Sequence, residues 1–269
     1  MNYIRTLHRY SHAITLRADL LYELKRAKRS SDWIGHHYHR LCRDILRSPA
    51  GEECFIRLLR FLLPEESCLL FDIGANTGYW LEHFLRYFPH TEAVGFEPTR
   101  NACVQLQKRF WNNKNVIIHN VGLSETKGES EIHIASDSRF SSLYEYDDEQ
   151  SFSGSETIAL TPFDEKVGDE LLARSMTKIV KIDVQGHEMS VLRGMKKGLG
   201  KIDIMILETS FLPEYKGLDP SFPEISEALY HHGFYPVMFF DYGRVKSPYA
   251  IQRDVVYTKE PHFQKVMQW

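Results

Sequence analysis

The segment LLFDIGANTGYW, residues 69–80, constrains this chain more than any other: an apolar run ends at Asp72, a glycine-bearing turn follows, and an amphipathic stretch begins. A run of that kind without polar alternation fits a strand covered on both faces, the usual state of strands in parallel sheets. The unit recurs. EAVGFE (92–97), NVIIH (115–119), TKIVKIDV (177–184) and KIDIMILE (201–208) read as further strands, interleaved with the helical stretches GYWLEHFLRYF, NACVQLQKRFW, HEMSVLRGMKK and FPEISEALYHHG. This alternation predicts an α/β fold with a doubly wound, mostly parallel sheet. YPVMFF (235–240) and RDVVYTK (253–259), joined by DYGR, predict a closing antiparallel hairpin.

EIHIA (131–135) and ETIAL (156–160) alternate like antiparallel strands. They bracket residues 136–155, whose seven Ser and five Asp/Glu predict a mobile loop over a site. Ahead of the sheet, helical periodicity predicts helices over 3–28, from Ser31 or Asp32 onward, and over 52–63, stopping before Pro64. The expected organisation is a helical cap or dimerisation element (1–65), a main domain (66–260) with a β insertion and loop near 128–162, and a short tail (261–269).

Residues 1–48 carry ten Lys/Arg against four Asp/Glu, whereas the remainder carries an acidic excess. The acidic body and the absence of aromatic residues interleaved with the basic arm argue against a nucleic-acid partner. No apolar run approaches the ~20 residues of a spanning helix, and the N-terminus lacks a secretory pattern, so a cytoplasmic protein is expected. Cys42, Cys54, Cys68 and Cys103 show no metal-binding spacing and read as reduced, packed thiols. His36, His37 and His39 crowd one segment, and His8 and His12 are four apart, but no carboxylate motif accompanies either group.

Chemistry concentrates at the strand ends. In open parallel sheets, ligands bind where strand carboxyl ends meet helix N-termini. A ligand there can lie against Gly74, Ala75 and Gly78. A dinucleotide fingerprint would read GxGxxG, but this turn reads GANTG, with Asn76 at the second glycine. Asp72 repels phosphate and suits a cationic amino group. Glu97, 23 residues after Gly74, ends the second strand, where a carboxylate accepts hydrogen bonds from vicinal ribose hydroxyls. Asn120 follows the third strand and offers either an adenine contact or a turn role. Asp183 and Glu208 end two more strands, so four acidic residues terminate four expected parallel strands. Ser142 sits in the polar loop as a lid contact, and His187 opens the helix after Gly186.

FDIGANTGYW, VGFEP, NVGLSE, SSLY, KIDVQGHEMSVLRG and ILE, in this order, resemble the FkbM-type S-adenosylmethionine-dependent methyltransferases, within the class I methyltransferase fold. The resemblance covers about residues 68–258. It implies a seven-stranded sheet and methyl transfer, usually to a hydroxyl of a sugar, glycan or natural product. Carried over, Asp72, Gly74, Ala75, Asn76 and Gly78 resemble the methionine-side loop, Glu97 the ribose carboxylate, Asn120 the adenine contact and Asp183 the acidic residue of the catalytic edge. His187 stands where a small or aromatic residue is commoner.

In-line displacement at a sulfonium needs alignment of the acceptor oxygen and a base for its proton. His187, then Asp183, then Glu208 are the candidates. A divalent ion held by Asp183 and Glu208 stays open, since hard cations favour oxygen ligands. The other readings are a NAD-dependent oxidoreductase on the same fold, which lacks its second glycine, and a non-catalytic adenosine-ligand-binding or scaffold protein. The expected acceptor is a small molecule or glycan, and the N-terminal helices could pair two copies.

Overall fold

The computed structural model describes residues 67–146, 152–211, 215–219, 221–240 and 252–259, together with Ile56, Leu59 and Leu63. Of the two compact units into which the chain divides, Leu59–Gln268 is the one considered below. The expected cap (1–65), its pairing role and the tail (261–269) fall almost wholly outside the described residues.

The main sheet is built from β1 (Cys68–Ile73), β2 (Glu92–Phe96), β3 (Val116–His119), β7 (Thr177–Ile182), β8 (Ile204–Ser210), β9 (Phe234–Phe240) and β10 (Gln252–Lys259), in the order β3-β2-β1-β7-β8-β10-β9. The first five run parallel. β10 pairs antiparallel with both β8 and β9, so the expected terminal hairpin inserts its second strand inward. The DYGR turn lies outside the described residues. β1 is buried at all six positions, and β7 at all but its first, which is why these segments carry almost no alternation.

Two helices flank β1 and β2 in the chain: α1 (Tyr79–Tyr87), burying Trp80, Leu81, His83 and Phe84, and α2 (Arg100–Phe110), burying Ala102, Cys103, Leu106 and Phe110. Trp80, Phe84 and Phe88 stack in series, with ring centroids 5.3 and 4.6 Å apart. Short helices α3 (Phe163–Lys166) and α4 (Asp169–Leu172) precede β7, α5 (Glu188–Arg193) follows it, and α6 (Ser221–Tyr230) lies between β8 and β9. One core joins Phe71, Phe96, Phe163, Ile182, Val191, Leu207, Ile225 and Tyr257 with their neighbours. Cys68 and Cys103 are buried free thiols, and burial pushes the Cys68 thiol up to about 11.

The insertion is a second sheet of β4 (Gly122–Leu123), β5 (Gly128–Ala135) and β6 (Phe152–Thr161), in the order β4-β6-β5. Several boundaries differ from expectation: β5 begins at Gly128, β8 runs on to Ser210 past Glu208, and the helix expected to 233 ends at Tyr230. Residues 152–155, read as loop from their serines, extend β6 along Ile134 and His133. The helix expected over 187–197 ends at Arg193, capped by Gly194, where a Cβ would lie 2.1 Å from the Ser124 carbonyl oxygen. Residues 201–203 belong to a 3-10 turn and its exit rather than to β8. Among the described residues no helix is long and apolar enough to cross a membrane.

Candidate active site

The sheet reverses direction of growth at β1: the chain moves outward through β2 and β3, then returns to β7 on the other side. A crevice opens at such a switch point, at the carboxyl ends of the strands. Asp72, Glu97, Asp183 and Glu208 all stand at that edge.

The turn after β1 is shaped by packing. Gly74 adopts φ +81°, and a Cβ there would lie 1.9 Å from the Asp183 carbonyl oxygen. Gly78, also at +81°, would drive a Cβ to 2.5 Å from Leu106 Cδ1 and 2.7 Å from Phe110. Both glycines, read from sequence as a surface for a ligand, therefore have protein at the Cβ position. The amides of Gly74 and of buried Ala75 donate to the Phe96 carbonyl at 2.9 and 3.0 Å, tying the turn to β2. Asn76 takes the left-handed conformation, φ 47°, and its Oδ1 accepts from Thr77 N (2.7 Å) and Ser138 Oγ (3.0 Å).

Glu97 is held from three sides. Its Oε2 accepts from Asn76 N at 2.9 Å, and its Oε1 accepts from Thr99 N at 2.9 Å and Thr99 Oγ1 at 2.6 Å. Burial pushes this carboxyl above the usual range, against the pull of the Thr99 and Asn76 donors. Asn120 donates through Nδ2 to the Glu97 and Pro98 carbonyls, both at 2.9 Å, which fixes the backbone beneath Glu97 and leaves Oδ1 for other partners.

Asp72 is treated differently. It is fully buried, and neither carboxylate oxygen accepts a hydrogen bond. Lys181, its register partner on β7, brings Nζ within 3.8 Å of Oδ1. Burial pushes Asp72 up to about 6, opposed by Lys181 and reinforced by Asp183.

At the β7–β8 side the acids are pooled. Lys181 Nζ donates to Asp183 Oδ2 at 3.0 Å and lies 5.3 Å from the Trp80 ring centroid. Gln185 Nε2 donates to Asp183 Oδ1 (2.8 Å) and to Glu208 Oε2 (2.5 Å). Although burial opposes it, Lys181 holds Asp183 below the usual carboxylate range. Glu208 is driven well above that range by burial and by the charges of Asp183 and Asp254. Glu188 is buried, accepts from Val184 N and Gly186 N at 3.2 Å, and is pushed up to about 7 by burial. Among the described residues no three His, Cys, Asp or Glu side chains converge as metal ligands.

His187 and Ser142 belong to a latch. Ser142 is buried, donates to the Gln185 carbonyl at 2.6 Å and accepts from Tyr144 N at 3.0 Å. His187 joins Ser124 Oγ through Nε2 (3.0 Å) and Tyr144 OH through Nδ1 (3.1 Å), and burial pulls it down to about 4. Tyr146 donates to Gln185 Oε1 at 2.9 Å. The part of the polar segment that is described thus reaches Asn76 through Ser138 and Gln185 through Ser142 and Tyr146.

Sequence reasoning missed Lys181, Gln185 and the three tyrosines, Tyr144, Tyr146 and Tyr215. Lys181 carried a usable signal: a cation two residues before Asp183, hence on the same strand face. Gln185 carried one in φ 53°, visible only in the fold.

Similarity now adds to this geometry. A curated relative, the hexuronic acid methyltransferase AglP of Haloferax volcanii, is 28% identical over 179 residues, covering 65% of this chain and 67% of the relative. The 1,6-didemethyltoxoflavin-N1-methyltransferase of Burkholderia thailandensis aligns over 93% of this chain and 89% of its own at 14% identity and TM-score 0.42. Aeropyrum pernix fibrillarin, solved with S-adenosyl-L-methionine, aligns over 72% and 67% at 13% identity and the same TM-score, 0.42. At these TM-scores the structural likeness carries no functional argument. The profile described as the methyltransferase FkbM domain matches residues 72–236, from the acid of the first strand to the start of β9 and across more than half of the chain, and the chain belongs to that methyltransferase family.

Proposed function

We propose that this methyltransferase uses S-adenosylmethionine and methylates a hydroxyl oxygen of a sugar, glycan or hydroxylated natural product. The observation that carries the reading is Glu97: its carboxylate is fixed at the end of β2 by three donors, and Oε2 accepts only one of them. That leaves acceptor capacity where vicinal ribose hydroxyls can donate. Asp72 supports the same ligand. Two buried carboxylate oxygens without hydrogen bonds are costly, and a cationic amino group is the complementary donor. Asn120 Oδ1 suits an exocyclic amine. The residues present therefore fit an adenosine bearing an amino acid.

When bound, S-adenosylmethionine supplies an electrophilic methyl group on a sulfonium. The chain's part is to hold the acceptor oxygen in line, exclude water and take the hydroxyl proton as the new carbon–oxygen bond forms. Asp183 and Glu208 are ranked ahead of His187 for that proton. Both His187 nitrogens are engaged, by Ser124 and Tyr144, which leaves neither free to face an acceptor hydroxyl. Gln185 Nε2 bridges Asp183 and Glu208, so a proton taken up at either carboxyl lies beside a hydrogen-bonded neighbour. His187 instead positions the Tyr144 segment. The hexuronic acid methyltransferase relative supports a carbohydrate acceptor.

The test is product analysis after incubation with S-adenosylmethionine and a panel of hydroxylated acceptors. A new O-methyl ether, abolished by Asp183→Asn with cofactor affinity retained, is expected; methylation confined to nitrogen would contradict the reading.

A further inference from the structure

Three residues beyond the end of β7, Gln185 adopts φ 53°, the left-handed region that a Cβ disfavours. Its backbone is held there by packing. The Gln185 carbonyl accepts from buried Ser142 Oγ at 2.6 Å, and the Tyr215 ring covers Gly186, where a Cβ would lie 2.9 Å from it. The side chain is held at both ends. Oε1 accepts from Tyr146 OH at 2.9 Å and Tyr215 OH at 3.4 Å, while Nε2 donates to Asp183 Oδ1 at 2.8 Å and Glu208 Oε2 at 2.5 Å.

A primary amide has one accepting end and one donating end. Reversed, this one would turn its oxygen to two carboxyl groups, each of which would then need a proton to bond it. With nitrogen on that side, Glu208 accepts at Oε2 whether or not its other oxygen carries a proton. The two phenols fix the same sense from the far end, since their hydroxyls donate to Oε1. They come from outside the main sheet. Tyr146 and Tyr215 are buried and pair as an isolated antiparallel bridge, with ring centroids 4.8 Å apart. Asp183 keeps 34% of its side chain exposed, so the acid that Gln185 braces is still within reach of an acceptor.

We infer that Gln185 is the positioning residue of the methyl-transfer centre: the Tyr146–Tyr215 pair sets the sense of its amide, and the amide holds Asp183 and Glu208 in one mutual arrangement toward the acceptor hydroxyl. The inference rests on the methyltransferase reading above and adds to it a role for two phenols that lie outside the main sheet. Gln185 acts through the acids, whose alignment sets the rate of an in-line displacement. A glutamate in its place would keep the phenol contacts but lose both donors and set a third carboxyl against the pair. A leucine would lose both ends.

The experiment uses the full chain with S-adenosylhomocysteine present. The side-chain amide of Gln185 is followed in proton–nitrogen correlation spectra, assigned as the signal missing from Gln185→Glu and from Gln185→Leu. In the wild type its protons should exchange with water at least about tenfold more slowly than those of exposed Gln107. Tyr146→Phe, which deletes one oxygen, should speed that exchange about fivefold. Exchange as fast as at Gln107, or no response to Tyr146→Phe, would overturn the assignment. The kinetic arm uses the acceptor methylated in the product analysis. Gln185→Leu should lower kcat about a hundredfold and Tyr146→Phe about fivefold, with S-adenosylhomocysteine affinity within about twofold of wild type. An unchanged kcat in either variant, or a loss of cofactor affinity that matches the loss of kcat, would reduce Gln185 to a structural role. If Gln185→Leu fails to fold, Tyr146→Phe and the wild-type exchange rates still decide. A wild type that neither binds S-adenosylhomocysteine nor methylates any acceptor would instead strike the methyltransferase reading, while the exchange measurement stands, so the two failures are distinguishable.

Discussion

The two halves of the crevice handle buried acids in opposite ways. At the β1–β2 side Glu97 accepts three hydrogen bonds from fixed donors, while Asp72 accepts none and has only Lys181, 3.8 Å away, beside it. At the β7–β8 side Asp183 and Glu208 are bridged by Gln185, Lys181 donates to Asp183, and Glu188 is buried close by against Val184 N and Gly186 N. A carboxylate pinned by fixed donors is preorganised for one ligand geometry. A pool held by one cation can take up or release a proton with little rearrangement. The difference teaches that placing acids at strand ends is the common framework, while the neighbours of each acid decide whether it binds or titrates.

The largest test of that contrast removes the cation. Lys181→Met should destabilise the fold by about 3–5 kcal/mol, as expected when one partner of a buried ion pair is deleted, read as a lower urea midpoint; an unchanged midpoint would mean that the acids stay neutral without it. Next comes pH. The Glu188 carboxyl sits at about 7 in the folded state against 4.5 as its ordinary value. The folded state therefore holds a proton that the unfolded chain has released, and stability falls as pH rises through that window. Glu188→Gln keeps an acceptor for Val184 N and Gly186 N and should remove roughly 3 kcal/mol of that decline, seen as a flatter curve of unfolding free energy against pH.

On the other half, Glu97→Ala should weaken S-adenosylhomocysteine binding on the order of a hundredfold while unfolding stays cooperative. Unchanged affinity in calorimetry would remove Glu97 from the site. Asn120→Ala should remove both its hold on the Glu97 carbonyl and its adenine-side acceptor and cost about fivefold in affinity, near 1 kcal/mol. Unchanged affinity would remove Asn120 from the site.

The parallel strands were legible because burial on both faces leaves them apolar from end to end, as in CLLFDI. The same logic put Asp72, Glu97, Asp183 and Glu208 near the carboxyl ends of their strands, although β1 runs one residue past Asp72 and β8 two past Glu208. Lys181 was half legible: its spacing from Asp183 puts both on one strand face, but only the register with Asp72 puts it indoors. Gln185 gathers partners from Tyr146 and Tyr215, 39 and 30 residues away, which no local pattern encodes. The start of β6 was hidden for a different reason. Its first residues are exposed or half-exposed, so its serines carry no apolar signal although the backbone pairs with β5. His187 was misleading in the opposite direction. Its position after Gly186 fits a catalytic base, but its half-buried ring is engaged at both nitrogens by Ser124 and Tyr144.

The central claim, an adenosine-sulfonium site built on Glu97 and Asp72, is tested most directly by isothermal calorimetry of ligand-stripped protein with S-adenosylmethionine, S-adenosylhomocysteine and NAD in parallel. The account predicts micromolar binding of the first two, on the order of −8 kcal/mol, and none of NAD. Binding of NAD alone, or of none of the three by folded protein, would contradict it.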